Sequence, residues 1–323
     1  MKKSRERLSV SNLSISFYTR KEIIQAVYKV SFKLEKGEIL GIVGESGSGK
    51  TVAMQSILNL LDKTGKIDEG SIFFNGEELV GISEKRLKKI RGAKICMIFQ
   101  DAMTTLNPVL SIKTQMIESI RAHKSISYSR ALEMSIESLG KVGIPKPRKN
   151  IEAYPHQFSG GMRQRVVIAM AMINQPDLVI ADEPTTALDV TIQSQILFLT
   201  KKLCREHGTS LIWISHDLSV VAGLVDRICI MYSGRVVEQG TIGAVLDSPK
   251  HPYTKALIGS IPDKSSKGRR LFQIPGVTKL DLNQHIGCTF KNRCYKATTL
   301  CATEPSLSPI SQFQDVACYY PES

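Results

Sequence analysis

The chain has 323 residues and carries 43 Lys and Arg against 30 Asp and Glu, a formal charge of +13. With 42% hydrophobic and 23% charged residues it has the balance of a globular protein, which excludes intrinsic disorder, and its length points to about two domains. The positive surplus fits an anionic partner such as a nucleotide, a nucleic acid or a membrane face, although a solvated surface accounts for most of it. No run approaches the ~18 apolar residues of a membrane span. The first ten residues are basic without a following apolar run, so no secretory leader is expected. The chain is expected to be soluble, made in the cytosol, and to meet a membrane only through another protein or a charged surface.

Strands are predicted at 8–17, 39–43, 71–74, 95–99, 178–181, 210–214 and 227–231, with 236–237 as the second arm of a hairpin after Ser233-Gly234. Several of these runs are apolar without alternation, the pattern of strands buried on both faces. Between Gln100 and Pro176 helical periodicity dominates, for instance at 130–142 and 163–173, so a helical insertion in an α/β core is expected. From Ser248 the composition changes. Pro249, Pro252, Pro262, Pro275 and the basic run 264–270 mark a linker and an appended module.

Gly44-Glu45-Ser46-Gly47-Ser48-Gly49-Lys50-Thr51 matches G-x-x-x-x-G-K-[ST], with an apolar run before it and helix-forming residues 52–61 after it. The glycines let the backbone curl so that successive N–H groups face phosphates, and the following helix adds its positive end. Lys50 supplies a point charge to the β and γ phosphates, and the Thr51 hydroxyl is a ligand for Mg²⁺. Leu178-Val179-Ile180-Ala181-Asp182-Glu183 reads as a buried strand ending in two carboxylates. Asp182 would hold Mg²⁺ through water, and Glu183 would polarise the attacking water as general base. Together the two elements indicate a P-loop NTPase.

Further segments resemble the motifs of ATP-binding cassette (ABC) proteins. Phe158-Ser159-Gly160-Gly161-Met162-Arg163-Gln164-Arg165 is similar to their signature, and Thr185-Thr186-Ala187-Leu188-Asp189 to their D-loop. Gln100 matches the Q-loop glutamine and His216 the switch histidine, while Phe17, or its neighbour Tyr18, suits the ring that stacks on adenine. The resemblance implies an α/β fold: a RecA-like mixed sheet plus an antiparallel β part, with a helical subdomain at about 101–175. It also implies ATP with Mg²⁺ near Thr51, Gln100 and Asp182, and His216 acting beside Glu183. Ser159, Gly160, Gly161, Arg163 and Gln164 of the signature would then complete the site of a second ATPase subunit across a head-to-tail dimer, and Asp189 is the D-loop residue.

Tyr154-Pro155-His156-Gln157-Phe158, Asp101-Ala102-Met103-Thr104-Thr105-Leu106-Asn107-Pro108 and Ser248-Pro249-Lys250-His251-Pro252-Tyr253-Thr254-Lys255-Ala256-Leu257 resemble segments of the ATPases of oligopeptide and dipeptide importers, a group that includes nickel-complex importers. This implies a nucleotide-binding domain over 1–247 and a small Cys-rich extension over 248–323. The implied partners are two transmembrane permease subunits, an extracytoplasmic substrate-binding protein and a distinct homologous ATPase, with the chain peripheral on the cytoplasmic face. Dipeptides, longer peptides, nickel complexes and glutathione all remain as cargo.

Cys96, Cys204 and Cys229 are scattered, whereas Cys288, Cys294, Cys301 and Cys318 cluster near the carboxy terminus. In a reducing compartment such a cluster points to metal before disulfide. Structural zinc usually brings close C-x2–4-C pairs, absent here, so the wider spacing and the resemblance favour a [4Fe–4S] cluster, with zinc as the alternative and free or paired thiols as the remaining reading. Phe290, Leu300, Leu307 and Phe313 would form most of the tail's core, and Lys291, Arg293 and Lys296 would balance the cluster's charge. A reading from another class, a soluble cassette ATPase acting on DNA or ribosomes, suits the basic charge. Those proteins usually carry two cassettes or a long insertion, so one signature and a compact insertion favour the transporter, with no nucleic-acid partner.

Overall fold

Alternation builds the amino-terminal strand, with an inversion in its middle. Leu8 and Val10 are buried, then Leu13 and Ile15, and the phase changes at Asn12, whose φ of 50° breaks the pleat. The Asn12 N–H donates to Ser31 Oγ and the Lys29 N–H to Ser14 Oγ (2.8 and 3.1 Å), so side chains take up the backbone groups freed at the irregularities. The computed structural model describes residues 5–186, 188–261, 274, 276 and 287–323, the Met103 side chain excepted. Ala187, Pro262, Pro275 and the run 264–270 therefore lie outside the described residues.

The strands are β1 (Glu6–Tyr18), β2 (Ile23–Glu35), β3 (Ile39–Val43), β4 (Gly65–Phe74), β5 (Glu77–Glu78), β6 (Ile95–Ile98), β7 (Leu178–Asp182), β8 (Ser210–Ser215), β9 (Arg227–Tyr232), β10 (Arg235–Thr241), β11 (Ser308–Ser311) and β12 (Gln314–Val316). All the predicted strands are present; β2, β5, β11 and β12 are additional to them. The chain divides into two compact units. One gathers Gly81–Trp213 with Glu35–Glu38, and the other Leu8–Leu34, Ile39–Val80 and the described residues from Ile214 onward.

In the first unit β8, β7 and β6 are neighbours in that order, with β6 parallel to β7 from the Ile95–Leu178 pair to Ile98–Ala181. The predicted helical insertion is present. Its helices Ile112–Arg121, Tyr128–Lys141 and Gly160–Met172 are each capped by a serine, Ser111, Ser127 and Ser159, whose side chain accepts the N–H three residues on. They pack through Met116, Ile120, Ala131, Leu139 and Val166.

In the second unit β2-β1-β4-β5 form one sheet, with β1 antiparallel to β4 and β4 to β5. Strands β11-β12-β10-β9-β3 run side by side in the other, with β3 parallel to β9 and the remaining pairs antiparallel. The predicted hairpin turn is Ser233-Gly234, with φ of 45° and 76°, and it joins β9 to β10. No helix among the described residues is long and apolar enough to cross a membrane.

The carboxy-terminal residues are fastened to β10 by one carboxylate. Glu238 is fully buried and accepts the N–H groups of Lys250 and His251 (both 2.8 Å) and the amide of Gln314 (2.6 Å). His251 then caps the helix Pro252–Gly259, its Nδ1 accepting the Tyr253 N–H at 3.0 Å, with Pro252 at the first helical position. The expected tail core needs correction. Phe290 is buried, but Leu300 is 46% and Phe313 54% exposed, and Leu307 is only half-buried. Phe290 packs instead against Tyr232 of β9 and against His251 and Tyr253 (ring centroids 5.2, 5.9 and 5.4 Å). The tail shares a core with the β-strands because its own apolar residues are too few to close one.

Burial holds the His251 imidazole down to about 3, far below its usual 6.5. The unfolded chain takes up this proton as pH falls through 6.5 while the folded chain does not, so stability is expected to drop by up to about 1.4 kcal/mol per pH unit between pH 6 and 5. Glu238, raised by its burial, acts in the opposite sense at the acid end. Denaturant titrations at pH 7, 6 and 5 check this. His251→Asn, which can still cap the helix, should flatten the response; an unchanged slope would assign the proton elsewhere.

Candidate functional site

The phosphate loop lies between β3 and the helix Lys50–Ile57 in the second unit. Gly47 and Gly49 take φ of 77° and 88°, which other residues rarely adopt. A Cβ on Gly44 would meet the Met231 carbonyl oxygen at 2.1 Å, so β9 leaves space for glycine alone there. Ser46 and Gly47 are exposed at the tip, Ser48 is buried, and Lys50 is 4% exposed. The Lys50 ammonium donates to the carbonyls of Gly44 (2.8 Å) and Glu45 (2.9 Å), which centre its charge in the loop. Thr51 opens the helix and is half-buried.

His216 belongs to the same unit and is exposed just after β8, where it is no core histidine. Asp217, whose N–H donates to Ser215 Oγ at 2.9 Å, caps the helix Leu218–Ala222 behind it. Phe17 is half-buried, and a Cβ on Gly65 would touch its ring at 2.9 Å. Tyr18 is exposed, its hydroxyl donating to Asp68 (2.8 Å) and its ring lying under Lys66 Nζ (5.3 Å).

The first unit holds the carboxylates. Asp182 ends β7 and is 4% exposed, while Glu183 has a φ of 44°, a left-handed conformation costing about 1–3 kcal/mol. Its carboxylate accepts the Thr186 hydroxyl (3.2 Å) and the Gln100 amide (3.4 Å), which brings together residues from two motifs far apart in sequence. Ser159 is exposed and accepts the Met162 N–H (3.3 Å), with Gly160 and Gly161 at the start of its helix. A Cβ on Gly161 would meet Ile192 at 2.8 Å, so glycine lets the signature helix approach the helix Val190–His207. Arg163 donates to the Phe158 carbonyl (2.6 Å), and Asp189 caps Val190–His207 by accepting the Ile192 N–H (2.9 Å). Gln164 does not share the accessibility of Ser159. It is 3% exposed, because its position one residue further round the helix turns it into the chain's own core.

In the tail, Cys288, Cys294, Cys301 and Cys318 all line one cavity of about 10 Å³, together with Lys291 and Lys296. All seven cysteines are free thiols. Burial pushes Cys288 up to about 11 and also raises Cys294 and Cys318, so deprotonation there needs a compensating positive charge. Among the described residues no group of three or more His, Cys, Asp or Glu is arranged so as to hold a metal ion. Cys204 and Cys229 are buried apart from this cluster.

Arg293 does not face the thiols as expected. It makes a bidentate pair with the phosphate-loop residue Glu45 (2.8 and 3.1 Å), because a carboxylate in line with its fork outcompetes neutral thiols. The sequence places Glu45 among the ATP-binding loop residues and points to no site role for Tyr253, whose hydroxyl accepts the Glu45 N–H at 3.0 Å. The one available signal was His251-Pro252-Tyr253 itself, a cap followed by proline that fixes where the tyrosine falls.

Residues 27–186 match the family described as ABC transporter, and residues 237–301 the one described as oligopeptide/dipeptide transporter, C-terminal region. The dipeptide transport ATP-binding protein DppD of Bacillus subtilis is 49% identical over 295 residues, 91% of this chain and 88% of that protein. The oligopeptide transport ATP-binding protein OppD of Escherichia coli is 44% identical over 314 residues, 97% of this chain and 93% of that one. A solved dimeric ATP-binding cassette in a post-hydrolysis state, bound to ADP and Pi, is similar with a TM-score of 0.65 at 29% identity, covering 73% of this chain and 98% of that chain. With motifs, fold and near full-length similarity in agreement, the chain belongs to the ABC transporter family, in the group that carries the oligopeptide/dipeptide transporter carboxy-terminal region.

Proposed function

We propose that the chain is the ATP-hydrolysing subunit of a membrane importer of dipeptides or oligopeptides, peripheral on the cytoplasmic face. The observation that carries this is the union, in one chain, of a glycine-shaped phosphate loop around a buried Lys50 with a carboxy-terminal region matched over residues 237–301 to oligopeptide/dipeptide transporters. Residues 1–247 serve as the nucleotide-binding part, with the helical insertion at about 101–175, and 248–323 as the extension. The chain works with two transmembrane permease subunits, a substrate-binding protein and a second ATPase of the family set head to tail.

Lys50 and the N–H groups of residues 44–51 bind the β and γ phosphates. The Thr51 hydroxyl and Asp182 carboxylate are hard oxygen donors of the kind Mg²⁺ takes, and a bound Mg²⁺ would draw charge off the phosphates. Glu183 accepts the proton of the attacking water, and His216 holds a γ-phosphate oxygen. Gln100, which donates to Glu183, ties the base to the helical insertion, so the γ-phosphate and the insertion bias one another. Phe17 stacks on adenine in preference to Tyr18, whose hydroxyl and ring face are already engaged by Asp68 and Lys66. Ser159, Gly160, Gly161 and Arg163 act on the partner's nucleotide, so ATP joins the two subunits and its hydrolysis separates them.

Glu183→Gln keeps the shape of the base and removes its proton acceptor. Phosphate release by the assembled transporter is expected to fall by ~10²–10⁴ while ATP affinity is retained. Unchanged turnover would take Glu183 out of this role.

The four tail cysteines are assigned to a [4Fe–4S] cluster with a structural role. Four thiols with no carboxylate around one cavity are a donor set that iron–sulfur chemistry uses, and Lys291 and Lys296 beside them would offset its charge. When bound, the cluster cross-links the tail through four thiolates. The small size of the cavity favours the second reading, a single zinc ion. Anaerobic purification with iron, sulfide and zinc analysis separates them: about four iron and four sulfide per chain are expected. About one zinc without sulfide selects the second reading, and neither metal removes both.

A further inference from the structure

Glu45, the second residue of the phosphate loop, is held from three directions. Its carbonyl accepts Lys50 Nζ at 2.9 Å, its N–H donates to the Tyr253 hydroxyl at 3.0 Å, and its carboxylate accepts two hydrogen bonds from Arg293 at 2.8 and 3.1 Å. Two of these three holds come from beyond residue 248. The Arg293 side chain is 9% exposed and also donates to the Tyr232 hydroxyl at 3.3 Å, with its guanidinium over the Tyr232 and Phe290 rings. Tyr253 is fully buried and packs on the same two rings.

A carboxylate in a loop that binds a triphosphate works against the loop's purpose. Left alone, Glu45 would repel the phosphates and could fold inward onto Lys50, the cation they need. Arg293 neutralises that charge and draws it outward, and a planar fork gripping both carboxylate oxygens fixes direction as well as charge. Tyr253 meanwhile fixes the backbone at the same residue. We propose that Arg293 is a positioning residue for ATP, and that with Tyr253 it makes the carboxy-terminal extension a clamp on the phosphate loop. The proposal rests on the reading of residues 44–51 as the ATP site. Arg293 closes the short turn Lys291–Arg293 and precedes Cys294, so the segment that orders the thiols also sets the clamp.

The test is equilibrium binding of Mg·ATP to the full-length chain, with Lys50→Ala as the blank. Arg293→Gln, which leaves the Glu45 charge uncompensated, is expected to weaken ATP about tenfold. Adding Glu45→Gln to that variant removes the stray charge and is expected to restore most of the affinity, although neither variant regains the ion pair or its contribution to thermal stability. Tyr253→Phe, which keeps the buried ring, is expected to weaken ATP a few-fold. Wild-type affinity in Arg293→Gln, or a double variant no tighter than the single one, would overturn the clamp while leaving the ATP reading intact. Should Arg293→Gln fail to fold, unchanged affinity in Tyr253→Phe overturns it. Wild type indistinguishable from Lys50→Ala would sink the ATP reading and the clamp together.

Discussion

A single buried carboxylate organises the second unit. Glu238 has no contact with solvent, and an unpaired charge there would cost several kcal/mol. Two backbone N–H groups and one side-chain amide satisfy it, all three from segments that follow β10 in the chain. Burial still raises its pKa, so the donors offset the desolvation only in part. The consequence is geometric. With the N–H groups of Lys250 and His251 fixed on Glu238, the helix beginning at Pro252 has one possible origin, and Tyr253 falls beneath the phosphate loop. Everything the extension does at Glu45 follows from that origin.

The loop itself shows why the attachment matters. Its shape is imposed by what glycine omits: at Gly44 the Met231 carbonyl occupies the place of a side chain, and at Gly49 the Ala26 carbonyl does so, 2.5 Å from where a Cβ would stand. Such a loop is narrow and has little freedom to absorb an awkward residue. Glu45 is that residue, and it is accommodated by outside partners. Glu183 is treated similarly in the first unit, where its left-handed backbone is tolerated beside hydrogen bonds from Thr186 and Gln100. In both places the surrounding hydrogen bonds hold a feature that is costly on its own.

The motifs were legible because their chemistry is local: the curl of residues 44–51 and the two acids after β7 need only their neighbours to be recognised. The apolar strands β3, β7 and β8 were legible for the same reason. β2 escaped because Lys29, with φ of 47°, breaks its alternation, so that Val30, Phe32 and Leu34 read out of phase with Val27. β11 and β12 escaped because they are three or four residues long, and β12 is a strand only by pairing with β10 and β11. Phe290 was identified as a core residue, but its partners, Tyr232 and Tyr253, lie far away in sequence. Arg293 was read through its nearest cysteine, and no local pattern points from it to Glu45.

That last failure says something about the tail's stability. Ordering a residue costs about 1–2 kcal/mol of backbone entropy, and the described residues 287–323 bury few apolar side chains, chiefly Phe290, Cys301, Val316 and Ala317. Their own contacts cannot offset the ordering of the whole segment, so order must be imported. It comes from β12 pairing with β10, from Phe290 in its aromatic nest, from Glu322 with Lys255 and Tyr295, from Arg235 with Glu304, and from Arg293 with Glu45. A cross-link through the four thiols would lower the remaining cost by restricting the unfolded tail. Because part of this imported order is taken at the phosphate loop, the folding of the tail and the geometry at Glu45 share a contact, and neither can change without the other being affected.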